Sequence, residues 1–327
     1  EGLANLAMHR YLTEADRADY GPGALEAVTI RGKMLAWPLW STALGMIVNE
    51  DLLAKAGVAL PPEGTGAAPW TWAEFTEALK KCSALKTEAG QPVAGFDAAS
   101  KPPLFEWSPL LMAHCGPFFT GAGEGDPNAS ATIALAPKLA EAIGRVHELR
   151  EAGLATPGFG FDSQEEAQQG FLEGRTAMLF SSPGFIRKLQ ATSLHFRVLA
   201  PPEGDWGKPI TTGALGCFAV VDSGDPERIA AAHALARYLT SQEIADAVPG
   251  WYLAPPARTS VGKFFDHPAY RPLAAILPTA RYMVPPGGAG FWEQAFIPKI
   301  QAAVLGQLTP EQASGEIQAA WKRRTLW

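Results

Sequence analysis

The sequence is short of cysteine and of charge, and it has no long apolar run. Three cysteines occur in 327 residues, at Cys82, Cys115 and Cys217, and they form no CxxC pair, which argues against a zinc site and a disulfide framework. Charged residues make up 18% of the chain, yet no run of about 18 apolar residues is present that could cross a bilayer. We therefore expect a globular chain without a metal site and without a membrane-spanning segment.

Basic residues are scarce as well. The chain has 27 Lys and Arg against 33 Asp and Glu, which gives a formal net charge of −6, and the basic residues form no cluster. Nucleic acids and anionic membranes are bound through such clusters, so neither is expected as a partner. The first residue is Glu rather than Met and no signal peptide is visible, so the residues alone leave the compartment open.

Apolar runs of strand length alternate with helical patterns along the chain. Thr71 and Glu74 have the spacing of a helix capping box, and Pro38 is expected to stop the first strand. Because the strands are apolar throughout, helices should cover both faces of their sheet, which indicates the α/β class. The predicted strands are 32–38, 43–49, 176–180, 195–199 and 216–221. The predicted helices are 50–57, 71–82, 137–152, 163–173, 226–240 and one that begins after Thr309.

The motifs of several enzyme classes are missing. No Ser has the flanking glycines of a G-x-S-x-G elbow, no Gly-Lys pair continues as a P-loop, and the six His residues form no H-E-x-x-H pattern. The carboxylate pair of a glycosidase stays open, because its spacing is spatial rather than sequential. Glu106 beside Trp107 is the best candidate for such an acid, and a hydrogen-bonded loop carboxylate is the simpler interpretation.

Five short segments occur in an order and spacing typical of one family. Together they resemble the extracytoplasmic solute-binding proteins of ABC importers (family 1), the group of maltose-binding and glycerol-3-phosphate-binding proteins. Each segment alone is a common strand, cap or turn, but the match spans nearly the whole chain. The segments are YGPGAL (20–25) leading to GKMLAWP (32–38), VNEDLL (48–53) followed by AGV (56–58), TWAEF (71–75), FLEGRTAM (171–178) and GWYLAP (250–255).

The resemblance implies a type II periplasmic-binding-protein fold. Two α/β lobes would hold a ligand in the cleft between them and close on it by a hinge motion. No catalysis, cofactor or metal is implied. The expected partners are a carbohydrate and the permease subunits of an ABC transporter. The chain should be a monomer, periplasmic or extracytoplasmic, with a lipid anchor in the full-length form as a further option.

The same resemblance assigns segments of the chain to each lobe. Members of the family begin with about two further βα units, on the order of 60 residues, so the first lobe is expected to be incomplete. The expected segments are 1–40 with 215–260 for the first lobe, 43–212 with 261–327 for the second, and crossings near 40–42, 212–214 and 253–260.

The expected ligand contacts follow from the family's motifs. Trp40 would stack on a sugar ring or, equally, pack beneath the hinge. Ser182 should cap a short helix that begins at Pro183 and points its N–H groups at the cleft. Gly184 stands where the family often has an aromatic platform. The full set, in which Trp292 is the strongest candidate, is Trp40, Thr42, Phe105, Glu106, Trp107, Ser182, Phe185, Gly213, Trp251, Tyr252, Arg281 and Trp292.

A di- or oligosaccharide is the expected ligand. Sugars are bound by aromatic faces and planar polar groups, and the chain has ten Trp residues. A polyol phosphate or glycerophosphodiester would need an Arg or a backbone N–H cradle. Where the family's phosphate binders place an Arg, this chain has Gly-Gly-Ala at 287–289, and Arg281 keeps the anionic alternative open. A carbohydrate-active enzyme that uses Glu106 is the third hypothesis.

Overall fold

The structure, a computed structural model, describes most of the chain. Three of the expected ligand contacts, Phe105, Trp251 and Tyr252, lie outside the described residues. None of the described helices combines the length and the hydropathy that a bilayer span needs. The described residues are 3, 12–21, 23–30, 33–62, 69–100, 106–120, 134–247, 254–260, 268–282 and 289–324.

Helices and short strands alternate, as the α/β class requires. The helices are α1 (Glu14–Asp19), α2 (Ala24–Ala27), α3 (Glu50–Lys55), α4 (Trp72–Ser83), α5 (Ser108–Cys115), α6 (Leu139–Glu151), α7 (Gln164–Leu172), α8 (Pro183–Gln190), α9 (Pro226–Leu239), α10 (Gln242–Ala247), α11 (Arg271–Ile276), α12 (Ala289–Phe291), α13 (Ile297–Val304) and α14 (Pro310–Arg324), with a 3₁₀ turn at Leu277–Thr279 and a π-helical segment at Trp292–Phe296. The strands are β1 (Thr29–Ile30), β2 (Lys33–Met34), β3 (Ala36–Ala43), β4 (Gly45–Asn49), β5 (Ala94–Asp97), β6 (Phe119–Thr120), β7 (Ala134–Leu135), β8 (Thr176–Ser181), β9 (Phe196–Leu199), β10 (Thr211–Ala219) and β11 (Ala280–Tyr282).

The larger core surrounds a four-stranded sheet of order β5-β8-β4-β9. β5 runs parallel to β8, and β4 is antiparallel to both β8 and β9. Successive side chains of a strand point to opposite faces, and here Met46 and Met178 belong to one apolar cluster while Ile47 and Leu179 belong to another. Both faces are therefore buried beneath helices, which confirms the α/β prediction.

A second sheet, of order β11-β10-β3, joins this core to a smaller one. The second residue of β3, Trp37, belongs to the apolar cluster of the smaller core together with Tyr20 and Ala236. The last residue of β3, Ala43, packs with Ile47 of the larger core. β10 is antiparallel to β3, and β11 is parallel to β10. The two predicted crossings, 40–42 and 212–214, lie side by side in this sheet. The assignment of segments to lobes stays a prediction.

The prediction that Pro38 stops the first strand is wrong. β3 passes through Pro38 and continues to Ala43. Trp40 pairs with Gly216 but Pro38 pairs with Cys217, so β3 has an extra residue there and forms a bulge. A bulge is one of the places where a sheet tolerates proline, since the ladder is already interrupted.

Local capping signals were read correctly. Thr71 accepts a hydrogen bond from the Glu74 N–H, and the Glu74 carboxylate accepts one from the Thr71 N–H, which completes the predicted capping box of α4. The helix predicted to begin after Thr309 is α14, and Thr309 caps it through Gln312. These signals depend on residues three apart, which is why sequence alone suffices for them.

The smaller core contains a buried arginine. The Arg258 side chain is 7% exposed, and its guanidinium pairs with Asp16 at 3.0 Å and with Asp19 at 3.2 Å. It also lies 4.6 Å from the centre of the Tyr20 ring and donates to the Thr240 carbonyl at 2.7 Å. Arg258 thereby holds α1, the end of α9 and the segment 254–260 together.

Segment 254–260 in turn runs along the outer side of β3. The Ser41 N–H donates to the Pro255 carbonyl at 2.8 Å, and the Ala257 N–H donates to the Leu39 carbonyl at 3.1 Å. The predicted third crossing near 253–260 therefore lies beside the first one.

Candidate ligand-binding site

Polar residues collect at one end of the four-stranded sheet, where it meets the second sheet. Ser181, the last residue of β8, pairs with Gly45 at the start of β4, and β5 ends at Asp97 on the same side. We call the sheet end formed by 97–100, 106–108 and 181–183 the binding edge. In open α/β sheets, ligands bind outside the carboxyl ends of the strands, and this is such an end for the parallel strands β5 and β8.

The start of β10 is hydrogen-bonded to the junction between β3 and β4, and it also contacts the binding edge. The Leu44 N–H donates to the Thr212 carbonyl at 2.9 Å, and the Thr211 hydroxyl donates to the Leu44 carbonyl at 2.7 Å. The hydroxyl of Thr212 also contacts that of Ser108, the first residue of α5. The crossing strands are thus fixed to the binding edge by direct hydrogen bonds.

Glu106 is completely buried within the binding edge. Its Oε1 accepts hydrogen bonds from Gln164 Nε2 at 2.9 Å and from Ser181 Oγ at 3.3 Å. No described residue donates a hydrogen bond to the other carboxyl oxygen, Oε2. Burial is the main cause that raises the pKa of Glu106 to about 7, although the bonds from Gln164 and Ser181 lower it.

Two expected contacts lie on the crossing strands themselves. Gly213 pairs with Ala43, and the neighbouring Ala214 pairs with Thr42. Thr42 is buried, and its hydroxyl has a long contact of 3.4 Å with the Ala43 carbonyl. The structure brings Thr42 and Gly213 together, beside the Thr212–Ser108 contact.

Trp40 is half-buried on the same strand. Its indole lies across Gly216 so closely that a Cβ added at Gly216 would be 2.1 Å from the ring. It also packs beside Ala245 of α10. Part of the Trp40 ring is therefore a packing contact of the crossing sheet, and part remains open to a ligand.

The two expected contacts near the start of α8, Ser182 and Phe185, differ in burial. Ser182 occupies the expected N-cap position before Pro183, with extended backbone at φ −84° and ψ 164°, but its side chain makes no capping hydrogen bond. It is half-buried. Phe185, in contrast, is buried in the core and packs edge-on against Phe171, with ring centres 5.9 Å apart.

Two of the expected tryptophans are enclosed by other aromatic rings. Trp107 is fully buried and packs edge-on against Phe159. Trp292 is 8% exposed and packs against Phe118, Phe119 and Phe296, with ring centres 4.2 to 5.9 Å away. A sugar ring could stack on either only after neighbouring rings had moved, so neither indole presents an exposed face to a ligand, although Trp107 belongs to the binding edge.

Arg281 is exposed on β11, where its backbone pairs with Thr212 of the return crossing. Its guanidinium donates to the carbonyl of its own neighbour, Ala280, at 3.0 Å. The structure thus places a cation beside the crossing strands. β11 itself was not predicted.

Asp97 of the binding edge and Asp162 line a wide groove together with Thr156. Burial first, and the charge of Asp162 second, raise the pKa of Asp97 to about 8. Among the described residues, no group of three or more His, Cys, Asp or Glu side chains could hold a metal ion. Cys82 and Cys115 are buried free thiols, and Cys217 is an exposed one.

Several polar residues of the site were missed from sequence. Ser181, Gln164, Gln168 and Ser108 take part in the hydrogen bonds of the binding edge, whereas Thr212, which Ser108 contacts, lies in the predicted return crossing. Ser181 could have been found, because it is the first polar residue after a buried apolar run that ends at Phe180. The others give no local signal, since their partners are distant in sequence.

Comparison with known proteins identifies the family. A family model for bacterial extracellular solute-binding proteins matches residues 3–272. The chain belongs to this family. Putative binding proteins of Brucella abortus and Brucella suis are 24% identical over 225 residues, which is 68% of this chain and 49% of theirs. The alignment thus spans about half the length of these curated relatives.

Two solved structures share the fold. Maltose-bound MalE3 of T. maritima aligns with a TM-score of 0.77 and 21% identity, over 98% of this chain and 80% of that one. A solute-binding protein of an ABC transporter from Thermotoga lettingae, bound with alpha-D-tagatose, aligns with a TM-score of 0.75 and 21% identity, over 99% and 80%. The fold is the two-lobed α/β fold of these sugar-binding proteins.

Proposed function

We propose that this protein is the binding component of an ABC importer, that it captures a di- or oligosaccharide between two lobes, and that it delivers the sugar to a membrane permease. The observation that carries the proposal is the meeting of the crossing strands with the polar end of the four-stranded sheet. Thr42 and Gly213 lie together there, with Ser182 at the adjoining end of β8.

The chemistry of this place suits a neutral polyhydroxyl ligand. Hydroxyl side chains are both donors and acceptors, as sugar hydroxyls are, and the binding edge contributes four of them, Ser100, Ser108, Ser181 and Ser182. The half-buried Trp40 would add an aromatic face for the C–H surface of a sugar ring. The two structural neighbours, MalE3 bound with maltose and the Thermotoga lettingae protein bound with alpha-D-tagatose, support the same ligand class.

Calorimetric titration against a panel of sugars tests the proposal. The panel includes maltose, longer maltodextrins, D-tagatose and glycerol 3-phosphate. We expect one of the sugars to bind, and Trp40→Ala to weaken its binding at least tenfold. The matched control is Trp206→Ala, because Trp206 is 41% exposed in another loop and should leave affinity unchanged. A panel in which no sugar binds would overturn the carbohydrate assignment.

A polyol phosphate is the second candidate, and the position of Arg281 favours it. The residue is exposed and its backbone pairs with Thr212, so an anion at the crossing strands could reach its guanidinium. Under this alternative, glycerol 3-phosphate binds and Arg281→Ala abolishes its binding. Under the carbohydrate proposal, the same variant keeps its affinity for the sugar.

Transport rather than catalysis agrees with the family, whose members are binding proteins. An acid that protonates a glycosidic oxygen must reach it, and Glu106 is completely buried. We propose an extracytoplasmic location because the family is extracellular. The lobes would comprise 1–40 with 215–260 and 43–212 with 261–327, as the sequence predicts.

A further inference from the structure

Glu106 lies where three segments of the binding edge meet. Its backbone N–H donates to the Ala99 carbonyl at 3.0 Å, which anchors the loop before α5. Gln164, at the start of α7, and Ser181, at the end of β8, donate to the same carboxyl oxygen. A side chain with no exposed surface does not contact the ligand unless it moves, but it sets the relative positions of the segments that do.

The charged group nearest to Glu106 in the network reaches it only indirectly. Lys188 of α8 donates to Gln168 at 3.0 Å, Gln168 donates to Ser181 at 3.3 Å, and Ser181 donates to Glu106. Two neutral side chains therefore separate the ammonium from the carboxyl. A buried carboxylate without a directly bonded cation is costly, and protonation is the usual way in which that cost is avoided.

In the part of the chain that the structure describes, the other elements packed here bring acidic groups rather than basic ones towards Glu106. α7 contributes Glu165, whose charge opposes the ionisation of Glu106. β5 ends in Asp97, whose pKa is itself raised to about 8 by burial and by Asp162. Helix α5 has no acidic residue in its first turn, and its basic residue, His114, lies in its last turn. Among the described residues, the hydrogen-bond donors to the Glu106 carboxyl are thus the neutral side chains of Gln164 and Ser181.

A neutral carboxyl fits the observed bonds as well as a charged one does. Oε1 can accept from both Gln164 and Ser181 as a carbonyl oxygen, so protonation of Oε2 breaks neither bond. Glu106 has no exposed surface, but closing the cleft on a ligand would remove water from the binding edge around it, weaken the screening of its charge and so raise the cost of ionisation further. The closed, ligand-bound form should therefore hold the proton more firmly than the open form.

We propose that Glu106 is a proton-linked positioning residue: it takes up a proton as the site closes, so that affinity for the sugar rises as the pH falls although Glu106 does not contact the sugar. The ligand-dependent part of this inference rests on the proposed function, whereas the titration of Glu106 in the ligand-free protein does not. Glu106→Gln keeps the Oε1 acceptor and removes the charge, so it imitates the protonated form at every pH.

The ligand-bound test measures the affinity for maltose, or for the panel sugar that binds best, at pH 5.5 and pH 8.5. We expect the wild-type protein to bind about tenfold more tightly at the lower pH, which corresponds to a rise of about one pKa unit on binding. Glu106→Gln should bind equally at both values, and the matched control Glu141→Gln, an exposed residue of α6, should keep the wild-type slope. A flat wild-type profile, or an unchanged slope in Glu106→Gln, would overturn the proposal.

Two further measurements separate the possible failures. Proton uptake by the wild-type protein, from calorimetry in two buffers of different ionisation enthalpy, needs no variant, and zero uptake near pH 7 contradicts the proposal even if Glu106→Gln does not fold. Urea midpoints of the ligand-free proteins at pH 5 and pH 8 need no sugar. As the pH rises from 5 to 8, the urea midpoint of the wild-type protein should fall more than that of Glu106→Gln. Parallel changes refute the titration of Glu106, while a panel without any binding sugar refutes only the proposed function.

Discussion

The core around the four-stranded sheet is almost entirely apolar, whereas the core around Trp37 contains Arg258 between two aspartates. Phe96 in the larger core has aromatic neighbours on several sides, with ring centres 5.5 to 5.9 Å away. Arg258 in the smaller core is held by charge-assisted hydrogen bonds. The stability of the larger core should therefore depend mainly on close packing, with its pH dependence limited to Glu106 and Asp97 at the binding edge, whereas that of the smaller core should depend on its ionised aspartates.

The largest expected effect is a cavity in the larger core. Phe96→Ala removes a fully buried ring that packs against Phe75, Phe159 and Phe180, and such truncations cost about 3–5 kcal/mol. Urea unfolding followed by circular dichroism measures this loss. The exposed Phe161 is the control, and Phe161→Ala should cost well under about 1 kcal/mol. Equal losses in the two variants would mean that the apolar core is not tightly packed.

The next effect breaks the charged cluster of the smaller core. Arg258→Ala leaves the buried Asp16 and the half-buried Asp19 without their shared partner, which should cost about 2–4 kcal/mol. Arg237→Ala is the matched control, because Arg237 also pairs with Asp16 but its side chain is 47% exposed, and it should cost less than about 1 kcal/mol. Hydrogen exchange should show the Arg258→Ala loss in α1 and α9 and not in β4. Loss spread evenly over both cores would contradict the distinction between them.

Lowering the pH should change the stabilities of the two cores in opposite directions. Burial raises the pKa of Glu106 to about 7 from the ordinary 4.5, so its stabilising contribution is complete below the ordinary value and is lost as the pH rises through 7. The contribution of Glu106 to the free energy of unfolding that is lost in this way amounts to about 3 kcal/mol. Asp97 acts in the same direction, and its contribution is lost as the pH rises through about 8.

The aspartates of the smaller core behave in the reverse way. Burial tends to raise the pKa of Asp16, but hydrogen bonds from Thr13, Arg258 and Arg237 lower it overall, and Asp19 is lowered similarly through Ser260 and Arg258. Their contribution is present above the ordinary value of 3.8 and is lost as the pH falls through the lowered one. Between pH 8 and pH 5 the larger core should gain stability, and below about pH 4 the smaller core should unfold first. Hydrogen exchange at several pH values checks both signs, and a uniform loss with acid would contradict them.

The smallest effect concerns the sheet between the two cores. Gly216→Ala puts a methyl group where the Trp40 indole lies, so the ring must shift, at a cost of about 1–2 kcal/mol. In the Trp40→Ala background, the same substitution should cost almost nothing. A double-mutant cycle measured by urea unfolding gives this coupling, and additive losses would show that Trp40 is not packed on Gly216.

The parts of the fold that sequence predicts are those set by local chemistry. The caps at Thr71 and Thr309 involve residues three positions apart, and both were predicted. The bulge at Pro38 depends on the register of β10, so it gave no local signal. β11 is three residues long, too short for a periodic pattern.

The candidate site was predictable only in part, for the same reason. Glu106 was singled out from sequence, but its partners Gln164 and Ser181 lie 58 and 75 residues further along the chain. Resemblance to the family indicated crossings near 40–42 and 212–214, and these segments lie on neighbouring strands, where Thr42 pairs with Ala214. That they connect two lobes stays a prediction. The resemblance could not show that aromatic neighbours enclose Trp292, because that depends on how β6 and the last helices pack.

Hydrogen–deuterium exchange with and without the sugar that binds best tests the central claim most directly. The account predicts slower exchange on binding at 40–44, 106–112, 181–185 and 211–214, where the crossing strands meet the binding edge, with little change in α14 or on the exposed side of α9. Slower exchange confined to other segments, or no change at saturating sugar, would contradict it.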